Sequence, residues 1–155
     1  MYHGAVTAVS DTRAQADGRL VERLRGAGMR VTPQRLALHR LLAGSHRHVT
    51  AEGLLREASG ELPGLALPTV YSTLELFVEL GIVRRVAAPG AARYDTDARP
   101  HDHFTCATCG GLFDLGSGGA GHDEAVRAAE AAGHAVAAAA VVVTGRCATC
   151  RRGDD

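Results

Sequence analysis

Apolar positions in the first ninety residues recur at helical spacing between strong turn and cap signals. One helix ends at Gly26-Ala27-Gly28, where glycine suits a left-handed C-terminal cap. Thr32-Pro33 reads as an N-cap with proline at the first helical position, followed by an apolar face of Leu36, Leu38, Leu41 and Leu42. Thr50 caps a third helix carrying Leu54 and Leu55, closed by Gly60 and Pro63. A fourth runs from near Pro68 to Gly81 with Val70, Leu74, Leu76, Phe77 and Val78. Residues 82–86 and 92–94, separated by the turn-rich segment 88–91, then predict a two-stranded wing. The second half changes character. Short strand patterns at 104–106 and 112–115 precede a glycine-rich connector, an alanine-rich helix over about 123–132, and an apolar run at 135–144 that reads as a strand. The fold class is α+β. Several short helices before a hairpin make the first half a candidate winged helix-turn-helix, with a plain small helical bundle as the competing reading.

Length and charge sharpen this. The chain has 155 residues, 46% of them hydrophobic and 22% charged, enough for two small domains with real cores. No apolar run approaches the ~18–20 residues a membrane span needs, so a membrane partner is not expected. Residues 1–18 lack the apolar core of a signal peptide and read as a polar, disordered lead, so a cytoplasmic location is expected. The organisation expected is this lead, a first domain over 19–95 and a second over 96–155. The formal net charge of zero conceals a division: through Gly90 there are 11 Arg against 8 acids, and beyond it 6 Arg against 9 acids. Arg19, Arg23, Arg25, Arg30, Arg35, Arg40 and Arg47 face one acid, Glu22, within residues 19–47, a basic stretch of the kind that neutralises phosphates. The second half has little bulky core of its own, which suggests burial against a second copy of itself.

All four cysteines lie in that half, as Cys106-x-x-Cys109 and Cys147-x-x-Cys150. In a reducing compartment such pairs point to metal before disulfide, and two two-thiolate knuckles make a closed four-thiolate site suited to structural Zn. A redox pair or unrelated buried thiols are the alternatives. Nitrogen and carboxylate donors form a second group. His101 and His103 fall at i and i+2, on one side of an extended strand. Asp95 closes the wing, Asp114 lies on the next strand, and His48 stands in the turn before the third helix. Such donors without sulfur suit Fe(II) or Mn(II) in an open site, against the ordinary reading of solvated loop residues. His39, among leucines, reads as packing or surface, His46 competes with His48, and His122 and His134 stand beside glycines without matching donors.

Taken together, these motifs resemble the ferric uptake regulator (Fur) family of metal-dependent repressors. The resemblance rests on the segments 27–35, 48–52 and 68–74, on His101-Asp102-His103-Phe104-Thr105-Cys106 with Cys109-Gly110, and on Gly145-Arg146-Cys147 with Cys150. It implies an N-terminal winged-helix DNA reader, a C-terminal α/β dimerisation domain, and a homodimer on a pseudo-palindromic double-stranded operator. By similarity, Tyr71 approaches base edges or a thymine methyl, Arg30 enters the minor groove, and Thr69, Ser72 and Arg35 complete the DNA-binding residues. Ser72 departs from the family, which often has Arg there, so a long bidentate base reader is missing.

The family's sensing site maps onto His48, Asp95, His101 and His103. No cysteine stands near the wing, unlike the zinc-sensing branch. Arg99-Pro100 replaces the extra histidines of nickel sensors, and Pro100 with Ala139 removes an additional histidine-rich site found in many iron-uptake regulators. Three His and two Asp, with Asp114 where iron-uptake regulators commonly carry Glu, are most like the peroxide-responsive (PerR) branch. That branch implies His48 or His101 as the imidazole oxidised by peroxide at Fe(II), with Mn(II) supporting DNA binding without peroxide sensitivity. An iron-uptake regulator is the alternative within the family. Outside it stand a metal-dependent hydrolase, for which no general base is seen, and a stand-alone zinc-ribbon interaction module.

Overall fold

Alanine, arginine and glutamine, with no proline after the start, make residues 5–26 a continuous helix, α1 (Ala5–Gly26). The computed structural model describes residues 5–88, 90–116 and 120–153. The disordered lead expected through Gly18 is therefore helical from Ala5, while residues 1–4 lie outside the described residues. Composition misleads there because extending a helix already anchored by buried Leu20 and Leu24 needs no new nucleus. At its other end Gly28 adopts φ 69°, and the amides of Gly28 and Met29 return to Arg25 O (3.0 Å) and Leu24 O (2.8 Å), closing a Schellman cap.

The next three helices follow their local signals. In α2 (Pro33–Leu42) the Thr32 hydroxyl accepts from Arg35 N, and in α3 (Ala51–Ala58) Thr50 accepts from Gly53 N. Helix α4 (Leu67–Glu79) has no side-chain cap and starts behind Ala66 with Pro68 in its first turn. Its apolar stripe of Val70, Leu74 and Phe77 is fully buried with Leu20, Leu24, Leu38 and Leu54. His39 belongs to this packing, edge-on to Phe77 at 6.0 Å, and burial holds its pKa below the ordinary value.

Three short strands complete this part: β1 (His48–Val49), β2 (Arg84–Val86) and β3 (Arg93–Asp95), in antiparallel order β1-β3-β2. The wing is therefore three-stranded, because His48, expected in a turn, pairs with Asp95 across β3. Helices α2 to α4 with this sheet form the winged-helix arrangement.

A second sheet holds β4 (Asp102–Cys106), β5 (Leu112–Leu115) and β6 (Val142–Gly145) in the order β5-β4-β6. β4 is antiparallel to β5 and parallel to β6, which it reaches through α5 (Ala120–Ala131). The strand expected over 135–144 shrinks to Val142–Gly145. The preceding alanines have low strand preference, while Val142, Val143 and Thr144 are β-branched. A short helix, α6 (Ala148–Arg152), starts on Cys147. The chain divides into two compact units, one of residues up to Val86 with Arg93–Ala98, the other of Ala87–Ala92 with Arg99 onward. The first unit runs on past the expected boundary at Asp95 to Ala98, where Thr96 N donates to Arg47 O (3.1 Å) and Arg47 N to the Thr96 hydroxyl (3.0 Å).

Candidate metal centres

The four cysteines come together in the second unit. The turn after β4 closes through Gly110 N to Cys106 O (2.9 Å), with Gly110 at φ 68°, and brings Cys109 back beside Cys106. Cys147 caps α6 and so turns Cys150 toward the same point. All four sulfurs lie within 4.8 Å of one another. The Cys109–Cys147 separation of 3.8 Å matches the edge of a tetrahedron with Zn–S bonds of about 2.3 Å, roughly 3.8 Å. It is far beyond a disulfide bond. Backbone N–H groups, first that of Cys109 and then that of Cys147, draw the Cys106 thiol down to about 5, while hydrogen bonding to the Cys147 and Cys109 sulfurs pushes Cys150 up to about 12. Four clustered sulfurs that resist ionising together are a donor set completed by a cation, and the set fits zinc.

The same sheet carries a second group on one face. His103 and Asp114 are opposite each other across β4 and β5. Asp114 Oδ1 lies 3.2 Å from His101 Nε2 and 3.8 Å from His103 Nε2, and the two imidazole centroids are 4.5 Å apart. His101 Nδ1 is 2.9 Å from Arg99 O. A carbonyl only accepts, so Nδ1 carries the hydrogen and Nε2 is the ring nitrogen directed at Asp114. That orientation by a backbone carbonyl is what a metal-binding histidine needs. Two imidazoles and one carboxylate with no sulfur form the donor class that suits non-haem Fe(II) with open positions.

In the first unit a smaller pair forms on the wing sheet. His48 and Asp95 are register partners, with His48 Nε2 3.8 Å from Asp95 Oδ2. Asp95 Oδ1 accepts from Asp97 N (2.8 Å), which fixes the carboxylate and leaves Oδ2 toward the imidazole. His46 contacts Asp97 at 3.8 Å.

The nucleic-acid candidates also lie in this unit. Thr69 and Ser72 are exposed on α4, where Ser72 Oγ bonds Thr69 O (3.1 Å). Tyr71 is half-buried and its hydroxyl donates to Glu52 Oε1 (2.8 Å). That bond holds the phenol above its ordinary pKa; Glu52 is held below its own by its backbone N–H and then by Tyr71. Arg30 is exposed in the α1–α2 connection, and its carbonyl accepts from the Arg35 guanidinium.

Three partners escaped the sequence reading. Glu52 holds Tyr71, and Glu75 on α4 accepts from the buried Tyr94 hydroxyl at 2.6 Å. His122 has a hydrogen-bond partner in Asp102: its Nδ1 is 3.1 Å from Asp102 Oδ1, which also accepts from Val141 N at 2.9 Å. Val141 N and then His122 hold the Asp102 carboxyl below the ordinary range. Nothing local in the sequence signals contacts between residues 19, 20 and 39 positions apart.

Residues 26–138 match the Ferric uptake regulator family. Over 93 residues the chain is 37% identical to the peroxide-responsive repressor PerR of Staphylococcus aureus (strain USA300), covering 59% of this chain and 63% of that protein. The chain thus spans somewhat less than two thirds of that relative. The Helicobacter pylori ferric uptake regulator Fur, described with three functional metal-binding sites, superposes with a TM-score of 0.75 over 90% of this chain and 93% of its own, at 16% identity. The Vibrio cholerae ferric uptake regulator, described with a structural rearrangement of its DNA-binding domains, gives a TM-score of 0.67 over 81% of this chain and 98% of its own, at 26% identity.

Proposed function

The chain belongs to the ferric uptake regulator family, and from that premise we propose that it is a metal-dependent transcriptional repressor, not an enzyme, that senses hydrogen peroxide in the cytoplasm. The observation that carries the peroxide reading is the sulfur-free set of His101, His103 and Asp114 on one sheet face. His48 and Asp95 supply two further donors of the same kind. All five are assigned to the regulatory metal, Fe(II) or Mn(II), whose binding would favour one state of the protein over the others. Cys106, Cys109, Cys147 and Cys150 hold the structural zinc. Fe(II), when bound, would mediate electron transfer to peroxide, the two electrons being drawn in net from the imidazole. The net change in the protein is one oxygen atom on a ring carbon of His48 or His101 and one water released, after which the altered imidazole is a poorer ligand.

The DNA partner is a pseudo-palindromic duplex engaged by a homodimer. Tyr71 and Thr69 on α4, Ser72 beside them, Arg30 ahead of α2 and Arg35 in its first turn are the residues offered to it. Phe113 (46% exposed), Leu115 (38%) and Val143 (45%) leave apolar surface on the second sheet that a second copy would cover. The alternative is an iron-uptake regulator using Fe(II) as corepressor, which the likeness to the V. cholerae protein over nearly its whole length favours.

Peroxide treatment of Fe(II)-loaded and Mn(II)-loaded protein separates the two. DNA selected from a random pool by the Mn(II)-loaded form serves as the probe, with peptide mass spectrometry as the second readout. The expected result is one added oxygen on His48 or His101 and loss of DNA binding in the iron form alone. An iron form that keeps both unmodified imidazoles and its DNA after peroxide would overturn peroxide sensing and leave the iron-uptake reading. DNA binding that ignores both metals would overturn the regulator itself.

A further inference from the structure

We propose that His122 is a positioning residue for the regulatory metal, acting through Asp102 on the strand that carries His101 and His103. The inference rests on the regulatory-site reading above and deepens it. Alternation along β4 puts Asp102 on the sheet face opposite the two imidazoles, so its carboxylate faces away from the donor set. It is nonetheless buried, at 6% exposure, and its Oδ1 takes two donors, Val141 N at 2.9 Å and His122 Nδ1 at 3.1 Å.

The location of that grip gives it a purpose. At Asp102 the β4–β5 ladder reaches its last rung, Asp102 opposite Leu115, and the β4–β6 ladder has already ended at His103 opposite Val142. His101 stands one residue beyond the strand. Strand ends open first, and a ligand on an opening end cannot hold coordination geometry to the fraction of an ångström that affinity requires. Val141 counters this. Its carbonyl accepts from His103 N (2.9 Å) while its own N–H donates to Asp102, so the ligand strand and the approach to β6 are clamped one rung beyond the ladder. His122, in the first turn of α5, fastens the same carboxylate to the helix. Without it, Asp102 keeps one donor and the clamp loses its anchor outside the sheet.

The test uses the full chain loaded with zinc and compares wild type, His122→Phe and His122→Asn. Asparagine can place an N–H near the position of Nδ1, whereas phenylalanine keeps bulk without a donor. Mn(II) affinity is read by equilibrium titration, zinc by elemental analysis, and the clamp by hydrogen exchange of the Val141 and His103 amides. The expected result for His122→Phe is roughly tenfold weaker Mn(II) binding, within the range for lost outer-shell support. Full zinc content and faster exchange at both amides should accompany it, with His122→Asn restoring both readouts. His122→Phe binding Mn(II) as tightly as wild type would overturn the inference alone. Wild-type protein that binds neither Mn(II) nor Fe(II) would overturn the regulatory-site reading and this inference with it.

Discussion

The two units bury different things. In the first, Leu20, Leu24, Leu38, Leu54, Val70, Leu74, Phe77 and Tyr94 are essentially inaccessible, an apolar core of ordinary kind. In the second, the buried hydrophobic positions among the described residues are two cysteines, Cys106 and Cys147, and the other buried groups are His101, Asp102, His103 and Thr105. Among its apolar side chains, Phe113, Leu115 and Val143 are exposed. On the proposed reading, one unit is held by what it hides from water and the other by what it binds. The sequence already shows the difference, as leucine periodicity in one half and ligand spacing in the other.

The largest effect expected from this contrast is on removing zinc. Structural zinc contributes about 10–16 kcal/mol in small domains, comparable to or above the ~5–15 kcal/mol of a whole domain. Chelation under reducing conditions, or Cys147→Ser, should therefore abolish hydrogen-exchange protection across β4, β5 and β6 while α2 to α4 stay protected. Protection of β4 that survives without zinc would mean apolar contacts carry the second unit after all.

The mirror experiment is Leu74→Ala in the fully buried stripe of α4. A buried leucine truncated to alanine costs about 2–5 kcal/mol, so thermal melting of the first unit should drop by several degrees while zinc content is unchanged. Equal loss of protection in both units would break the separation. A smaller effect comes from Tyr94→Phe, which deletes the hydroxyl donated to Glu75 and leaves the ring in place. Glu75 reaches solvent at 46% side-chain exposure, so we expect about 1 kcal/mol in chemical denaturation.

What could be read in advance follows the same division. Thr32-Pro33 and Thr50 act on amides two or three residues away, so their helices were legible. The cysteine pairs were legible because each knuckle is local. β1 was not, since a two-residue strand exists only through its pairing with β3 some 45 residues on, where His48 meets Asp95. The start of β6 is not legible in the hydrophobicity of 135–141, because alanine has weak strand preference. Asp102 stands in the sequence only as the residue between two histidines. Its partners Val141 and His122 required the fold.

The smallest expected effect tests where the first unit ends. Composition placed the lead through Gly18 outside the fold, yet α1 begins at Ala5 and Asp17 binds Arg40 of α2, with Arg40 Nε 3.0 Å from Asp17 Oδ2. The pair is partly solvated, at 22% and 40% side-chain exposure, and solvent screens its attraction. Asp17→Asn should therefore lower global stability by less than about 1 kcal/mol. Its local effect should be larger than that figure suggests. The helix N-terminal to Leu20 has few other described tethers, so amides around residues 14–18 should exchange faster in Asp17→Asn while those around Leu24 do not change. If exchange at 14–18 is already complete in the wild type, this stretch draws no order from Arg40, and the apolar core of the first unit begins and ends with the residues that leucine spacing predicts.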